Sequence, residues 1–291
     1  MLLLLCVVVT TGGWDELSEG VFLRAYDHLD INICVIRDGD RLLVIDSRAS
    51  PTEGAELMAE LEVFAPAHVN ALVNTHAHFD HTFGNQQFGP ASPLNVAIYG
   101  HHLLPAHLDQ YERPRLAAWR AQSAHEPPRD WHDVVLTPPT HLVASRGFLQ
   151  LRDRVVELIP LGPGHTDTDL VIRVCGADIW IVGDIVEASG PPMYGSGCYP
   201  LELPGTLRRL LDEIGASSQV VPGHGPVVDR DFALAQLADV TAMAAHLRAA
   251  HDSGATVQEA LASQATWPFP VDGLQLAVSR AFAALDQQAS R

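Results

Sequence analysis

The feature that most constrains this chain is a group of four potential metal-binding side chains within six residues. The four are His76, His78, Asp80 and His81. An apolar run at residues 69–73 precedes them and predicts a strand, and the Gly84-Asn85 turn after them indicates that the polar segment leaves the strand as a loop. Imidazole and carboxylate ligands are typical of open metal sites that keep a position for water, whereas structural zinc sites close four ligands around one ion. The segment therefore predicts the first part of a catalytic metal site.

Three further ligand candidates follow in separate segments, each just after a short apolar run. They are His165, Asp184 and His224. The runs at 155–161, 179–182 and 219–221 predict strands, so each candidate lies on a loop that a rigid sheet carries, where functional residues concentrate. Glycines beside the candidates allow the backbone to turn sharply and to approach an ion closely. We therefore expect these three side chains to join the first four in one site.

In this order, the four motifs resemble the metallo-β-lactamase superfamily, in the version with two histidine-rich metal positions and a bridging aspartate. The resemblance covers residues 20–229 and implies an α/β fold, the four-layer αββα sandwich. It implies a cofactor of two divalent metal ions, with zinc as the expected metal and iron or manganese as alternatives. The implied ligands are His76, His78 and His165 for the first ion, Asp80, His81 and His224 for the second, and Asp184 as the bridge.

The pair formed by Asp184 and His81 departs from the best-known class B β-lactamases, which carry Cys near the first position and Arg near the second. The pair found here is similar to that of glyoxalase II-like hydrolases and lactonases. An oxygen ligand in place of a thiolate accommodates zinc, iron and manganese more evenly. We therefore expect a hydrolase that attacks an ester, lactone, thioester or lactam carbonyl, with penicillin hydrolysis as a less favoured alternative.

The resemblance also implies the nucleophile, a hydroxide that bridges the two metal ions, because cations roughly 3.5–4 Å apart lower the pKa of a shared water. Asp80 is the predicted catalytic residue, since a carboxylate can bind metal and still orient the nucleophile or pass a proton. Tyr194 and Tyr199 are candidate substrate-binding residues in the Gly- and Pro-rich segment 185–200, where a hydroxyl could donate to a carbonyl oxygen. Packing within an ordered loop is the competing explanation for either tyrosine.

Two other functions stay open for the same residues. A single iron ion held by His76, His78 and His165 would support a dioxygenase, as in persulfide dioxygenase relatives. A non-enzymatic metal-binding protein of the same fold is the other alternative, although a complete ligand set argues against it. The His101-His102 pair is expected to begin a helix. The histidines without a partner motif are expected not to be ligands: His28, His68, His107, His125, His132, His141, His246 and His251.

Composition restricts the partners and the location. The chain has 291 residues, a formal net charge of −17 and 18 basic residues, all of them arginine. Such an acidic surface disfavours nucleic acid, so a small-molecule substrate is expected. The apolar residues 1–9 resemble the core of a signal peptide but lack a positively charged start, and they are too few for a membrane span, which needs ~20 residues. We expect a cytoplasmic protein; export and homo-oligomer formation are left open.

The chain is expected to divide into an N-terminal extension at 1–19, a metallo-β-lactamase-like domain at 20–229 and C-terminal helices at 230–291 packed on the same domain. One helix is predicted over 103–124 in spite of two prolines. The proline-rich stretches at 126–128 and 137–139 predict a rim loop over the site. Beyond residue 229, helices are predicted over 232–250 and 256–262.

Overall fold

The computed structural model describes residues 10–11, 13–65, 67–122, 130–263 and 267–290. The signal-like segment at 1–9 and the first half of the predicted rim loop, at 126–128, lie outside the described residues. The first half of the chain forms an eight-stranded sheet whose strands follow one another in chain order. They are β1 (Thr10–Thr11), β2 (Trp14–Ser18), β3 (Val21–Tyr26), β4 (Ile31–Asp38), β5 (Arg41–Ile45), β6 (His68–Val73), β7 (Ala97–His101) and β8 (His141–Val143).

This first sheet is antiparallel up to β5 and parallel from β5 to β8. Parallel neighbours require crossover connections, and helix α1 (Pro51–Phe64) provides the one between β5 and β6. Ser50 caps the start of α1 by accepting a hydrogen bond from the backbone N–H of Glu53 at 3.2 Å. Pro51 occupies the first helical position, where its missing N–H costs nothing.

The described part of the second half of the chain forms a five-stranded sheet and four α-helices. The strand order is β13-β12-β11-β10-β9, and only β12 and β13 are parallel neighbours. The strands are β9 (Gly147–Gln150), β10 (Val155–Ile159), β11 (Val171–Val174), β12 (Ile179–Gly183) and β13 (Gln219–Pro222). The later helices are labelled α5 (Leu203–Glu213), α6 (Arg230–Asp252), α7 (Val257–Ala262) and α8 (Gln275–Ala289).

Three apolar layers hold the two sheets and the helices together. The central layer lies between the sheets and combines Ile36 and Leu43 of the first with Ile172 and Ile181 of the second. An outer layer packs α1 on the first sheet. The other outer layer packs α5, α6 and α8 on the second sheet. Helix, sheet, sheet and helix therefore stack in this order, which confirms the predicted four-layer αββα sandwich.

The helix predicted over 103–124 is present from Leu104 to Arg120 but is not a regular α-helix throughout. It consists of three contiguous pieces, α3 (Leu104–His107), a π-helical turn (Leu108–Glu112) and α4 (Arg113–Arg120). Pro114 has no N–H to donate to the preceding turn, and the wider π turn directly before α4 accommodates it. The His101-His102 pair does not begin this helix: His101 ends β7, and α3 begins two residues after His102.

Two further elements complete the fold. β2 lies inside the segment 1–19 and pairs with β3, so that this part of the chain joins the first sheet. α8 packs on the second sheet with small residues such as Ala277 and Ala281, which give little hydrophobic periodicity. Among the helices of the described residues, none has both the length and the hydrophobicity that a bilayer crossing requires.

Candidate metal centre

All seven predicted metal ligands lie in segments that follow strands, either on loops or in one short helix, and the fold brings them together. His76 and His78 follow β6, and Asp80 and His81 lie in the short helix α2 (Phe79–Thr82) directly after them. The other three are His165 after β10, Asp184 after β12 and His224 after β13. All seven side chains are buried. The fold therefore places the ligand candidates of both sheets around one point.

The first group of ligand atoms is formed by three imidazoles. Nδ1 of His78 lies 3.2 Å from Nε2 of His76 and 2.8 Å from Nε2 of His165. Oδ2 of Asp184 completes the group, 3.6 Å from Nε2 of His76 and 3.3 Å from Nε2 of His165. Three nitrogens and one oxygen thus surround a space of the size that a metal ion fills.

The second group lies on the other side of Asp184. Nε2 of His224 lies 3.3 Å from Nε2 of His81 and 3.3 Å from Oδ2 of Asp80. Asp184 also reaches this group, because its Oδ1 lies 3.4 Å from Nε2 of His81. Asp184 is therefore positioned between the two groups, as expected for a ligand shared by two ions.

Two observations indicate that these donor atoms suit a divalent cation. Oδ1 of Asp184 is buried and has no hydrogen-bond partner among the described residues, so a bound cation would satisfy it. Every donor in the two groups is an imidazole nitrogen or a carboxylate oxygen, a set that suits zinc, iron and manganese.

The ring nitrogens that face away from the two groups are fixed by oxygen atoms behind them. Such contacts set the orientation and the tautomer of a ligating imidazole. The pairs are His81 Nδ1 with Asp46 Oδ2 at 2.8 Å, His224 Nδ1 with the Leu29 carbonyl at 2.7 Å, His165 Nδ1 with the Met193 carbonyl at 3.1 Å, and His78 Nε2 with the Ser196 carbonyl at 2.8 Å. Nδ1 of the fifth, His76, lies 3.2 Å from the Thr75 hydroxyl oxygen, so all five histidines are oriented by oxygen atoms of the protein.

Asp46 is the functional residue that the sequence analysis missed. It follows β5 in a left-handed conformation, with φ of 65°, and it is buried. Its carboxylate accepts hydrogen bonds from the backbone N–H of Thr75 at 2.8 Å and from the Thr75 hydroxyl at 2.7 Å, in addition to the contact with His81. The only sequence signal was a single acid after an apolar strand, the same signal that identified Asp184.

The protonation of the histidines differs between the two groups. Burial lowers the pKa of His78 to about 4 and holds the pKa values of His76 and His165 below the usual value of 6.5. These rings are therefore neutral at pH 7, which is the form that binds metal. Burial acts in the same direction on His81 and His224, but nearby acids, Asp184 first, outweigh it and raise their pKa values to about 9 and about 12.

A cavity of about 310 Å³ opens over the two groups. Its lining includes ligands from both groups as well as Leu29, Phe79, Arg115, Glu187, Ser189, Met193 and Gly195. Neither predicted substrate residue is among the described residues that line it. Tyr194 lines a separate apolar cavity and lies 6.4 Å from the ring of Phe269, while Tyr199 lies under the guanidinium of Arg280, 5.2 Å from ring centre to carbon. Both tyrosines therefore contact residues outside the segment 185–200, and their role in substrate binding stays a prediction.

His107, one of the histidines expected not to bind metal, lies behind His78. Its ring centre is 5.9 Å from that of His78, and its Nδ1 contacts Oδ1 of Asp167 at 2.6 Å. Together with the buried Glu112 and His78 it forms a further group of potential ligand atoms. However, the outward nitrogen of His78 is already engaged by the Ser196 carbonyl.

Comparisons with known proteins agree with this geometry. The family model of the metallo-beta-lactamase superfamily matches residues 26–245. Similar solved structures include a metallo-beta-lactamase from Pontibacter korlensis, with a TM-score of 0.61 and 18% identity over 78% of this chain and 98% of that one. They also include the DIM-1 metallo-beta-lactamase, with a TM-score of 0.61 and 16% identity over 79% of this chain and 97% of that one. At these identities the structures show the fold alone. Because the family model spans well over half of the sequence, the chain belongs to the metallo-beta-lactamase superfamily.

Proposed function

We propose that this protein is a hydrolase that uses two divalent metal ions, with zinc as the expected metal, to cleave an ester, lactone, thioester or lactam carbonyl. The observation that supports it best is the position of Asp184, whose carboxylate lies within 3.6 Å of imidazole nitrogens in both ligand groups. A shared carboxylate between two sets of nitrogen donors is what a pair of cations needs. Both groups form the floor of one open cavity, where a small molecule can reach them.

Each ion has its own set of residues in this proposal. His76, His78 and His165 would hold the first, and Asp80, His81 and His224 the second, with Asp184 shared. When bound, two such cations polarise a carbonyl group and lower the pKa of water, so that hydroxide is present near neutral pH. Imidazoles already oriented by the oxygen atoms behind them would bind these ions with little reorganisation.

Asp80 is positioned to handle a proton. Its carboxylate lines the cavity, and its Oδ2 lies 3.3 Å from Nε2 of His224. Burial acts to raise the pKa of Asp80, but His81 and His224 outweigh it and hold the pKa below the usual value of 3.8. The group is therefore ionised at pH 7, so that it can accept a proton from an attacking water and deliver it to the leaving atom.

The wall of the cavity provides a place for the rest of the substrate. Leu29, Phe79 and Met193 present apolar surface beside the ligands. These side chains would hold the apolar part of a substrate by excluding water around it. A cavity of about 310 Å³ fits a small acyl compound.

A substrate screen tests this function. Metal-loaded protein is assayed against matched esters, lactones, thioesters and lactams, with release of the acid followed at pH 7, and Asp40→Asn serves as a variant of an exposed acid outside the site. We expect hydrolysis of at least one class and its loss on removal of metal with a chelator. Oxygen uptake with thiol substrates by a protein that holds one iron would instead favour the dioxygenase. Metal binding without turnover of any class would contradict the hydrolase.

A further inference from the structure

Arg115 is the one arginine among the described residues that line the metal cavity. It lies on α4 and shares the cavity with His165 and with the acids Asp80, Asp184 and Glu187. The three acids would repel an anionic ligand, so Arg115 is the group in this part of the wall that can pair with a negatively charged substituent.

Two contacts fix the guanidinium of Arg115 on the cavity wall. Its Nε lies 2.9 Å from Oε2 of Glu112, whose side chain is fully buried. Its Nη2 donates to the hydroxyl of Ser196 at 2.7 Å, and this hydroxyl donates in turn to Oε1 of Glu112 at 3.0 Å. The guanidinium carbon also lies 5.4 Å from the ring centre of Phe79. The side chain is therefore oriented before a ligand arrives, which lowers the entropic cost of binding.

The same contacts fix Arg115 relative to the metal ligands. The Ser196 carbonyl accepts a hydrogen bond from Nε2 of His78 at 2.8 Å, while the Ser196 hydroxyl contacts Arg115. Ser196 thus connects the guanidinium of Arg115 to His78, a ligand of the first group. The π turn before α4 contributes to this arrangement, because it ends at Glu112, three residues before Arg115.

Neutralisation of Glu112 is the competing role for Arg115, since a buried carboxylate needs a cation nearby. This role uses Nε, which pairs with Glu112 by charge and without a hydrogen bond, and the contact with Ser196 uses Nη2. Nη1 takes part in neither contact with the described residues, and one third of the side chain, 33%, is exposed. A guanidinium matches the planar geometry of a carboxylate, so the free nitrogen is a suitable anchor for one.

We propose that Arg115 is a specificity-determining residue that binds a carboxylate of the substrate while the scissile carbonyl lies over the metal ligands. The inference rests on the proposed hydrolase function and narrows its substrate class to acyl compounds that carry a negative charge near the carbonyl.

The test uses pairs of probes that differ only in one carboxylate. The substrates are S-benzoylthioglycolic acid and its methyl ester, and thiol release reports their hydrolysis. The binding probes are 3-benzoylpropionic acid and its methyl ester, in which CH₂ replaces the sulfur and removes the thioester bond. Their binding is measured by calorimetry, and chromatography of the recovered probe checks that the methyl ester is intact. Arg115→Gln removes the charge, and Arg113→Gln is the matched control, because Arg113 lies on the same helix with a side chain that is 63% exposed.

We expect metal-loaded wild-type protein to bind the acid more tightly than the ester. Arg115→Gln should weaken binding of the acid and raise its KM by roughly 10- to 100-fold, the loss expected for a charged hydrogen bond, with kcat and all values for the ester nearly unchanged. Arg115→Lys should keep part of the preference, and Arg113→Gln all of it. The ratio of acid to ester within one variant cancels any general loss of folded protein.

Two results would overturn the assignment: equal losses for acid and ester in Arg115→Gln, which indicate a structural role beside Glu112, or no loss for the acid. Failure of the hydrolase function gives a different pattern. In that case neither thioester is cleaved by wild-type protein, while calorimetry still shows the preference for 3-benzoylpropionate and its dependence on Arg115, which supports the anion site by itself.

Discussion

Oδ2 of Asp46 lies 2.8 Å from Nδ1 of His81, and this contact leaves the other ring nitrogen, Nε2, facing the second ligand group. The carboxylate of Asp46 also receives the backbone N–H and the hydroxyl of Thr75, so the acid at the end of β5 holds the start of the metal-binding loop. Asp46, which belongs to neither ligand group, thus determines which ring nitrogen of His81 faces the second group. The first prediction follows from this pair.

Asp46→Asn should weaken binding of the second metal ion by roughly 10- to 100-fold while the first stays bound. Asparagine tolerates the left-handed backbone of this position. If its single oxygen accepts from the backbone N–H of Thr75, its NH₂ group faces Nδ1 of His81, and this group cannot accept a hydrogen bond. Titration with a competing chelator measures the two affinities. Asp40→Asn, at an exposed acid in the turn before β5, is the control and should change neither; an unchanged second affinity in Asp46→Asn would remove Asp46 from the site.

Asp80→Asn should lower turnover at least ~100-fold, as is usual when a residue that transfers a proton is lost. The first group contains no atom of Asp80, so one ion per chain should remain bound. Steady-state kinetics and metal analysis on the same preparation check both statements. Wild-type rates in this variant would show that Asp80 has no role in the reaction.

His165→Ala should lower metal content and thermal stability together, because an ion that binds only the folded state stabilises it. The side chain of His165 provides Nε2 to the first group, 2.8 Å from Nδ1 of His78. Thermal unfolding with and without added metal is the measurement. His68→Ala, an exposed histidine at the start of β6, should keep the full metal-dependent rise in Tm; the same rise in His165→Ala would exclude His165 as a ligand.

Asp38 should stabilise the fold in a pH-dependent way that has nothing to do with metal. Its Oδ2 accepts the backbone N–H groups of Arg152 at 3.1 Å, Asp153 at 2.6 Å and Arg154 at 2.7 Å. Slight burial acts to raise the pKa of Asp38, but these hydrogen bonds and the charge of Arg154 outweigh it and lower the pKa below 3.8.

Because the pKa is depressed in the folded state, the stabilisation is present above pH 3.8 and disappears as the pH falls through the folded-state value. Asp38→Asn should therefore lower the Tm of metal-free protein by about 1–3 °C at pH 7 and by less at pH 3. Asp153→Asn, with a side chain that is 85% exposed, is the control. An equal loss of Tm in Asp38→Asn at pH 7 and at pH 3 would contradict an ionic origin of the stabilisation by Asp38.

The ligand set was readable in the sequence because each ligand comes directly after a strand with a clear apolar run. His76 to His81 stand in one loop, and the strand before them is apolar enough to identify. The layers of the fold were predictable for the same reason, together with the resemblance that these motifs carry. The ligands and the strands before them are close together in the sequence, so local pattern and spacing are enough to predict them.

The contacts that orient the ligands were not readable, because they depend on residues far apart in the chain. Asp46 contacts His81 across 35 positions, and the carbonyl of Leu29 contacts His224 across 195 positions. Arg115 lines the cavity from α4, directly after a π turn that the sequence pattern does not predict. Tyr194 and Tyr199 looked suitable by position alone, yet their side chains face other parts of the molecule.

Metal content tests the central claim most directly. Protein purified without added metal is analysed for zinc, iron and manganese, and the analysis is repeated after loading with each metal and removal of the excess. The account predicts about two ions per chain, the number that the two ligand groups around Asp184 accommodate, and about one per chain in His165→Ala. No bound metal in folded, loaded wild-type protein, or a content that His165→Ala leaves unchanged, would contradict it.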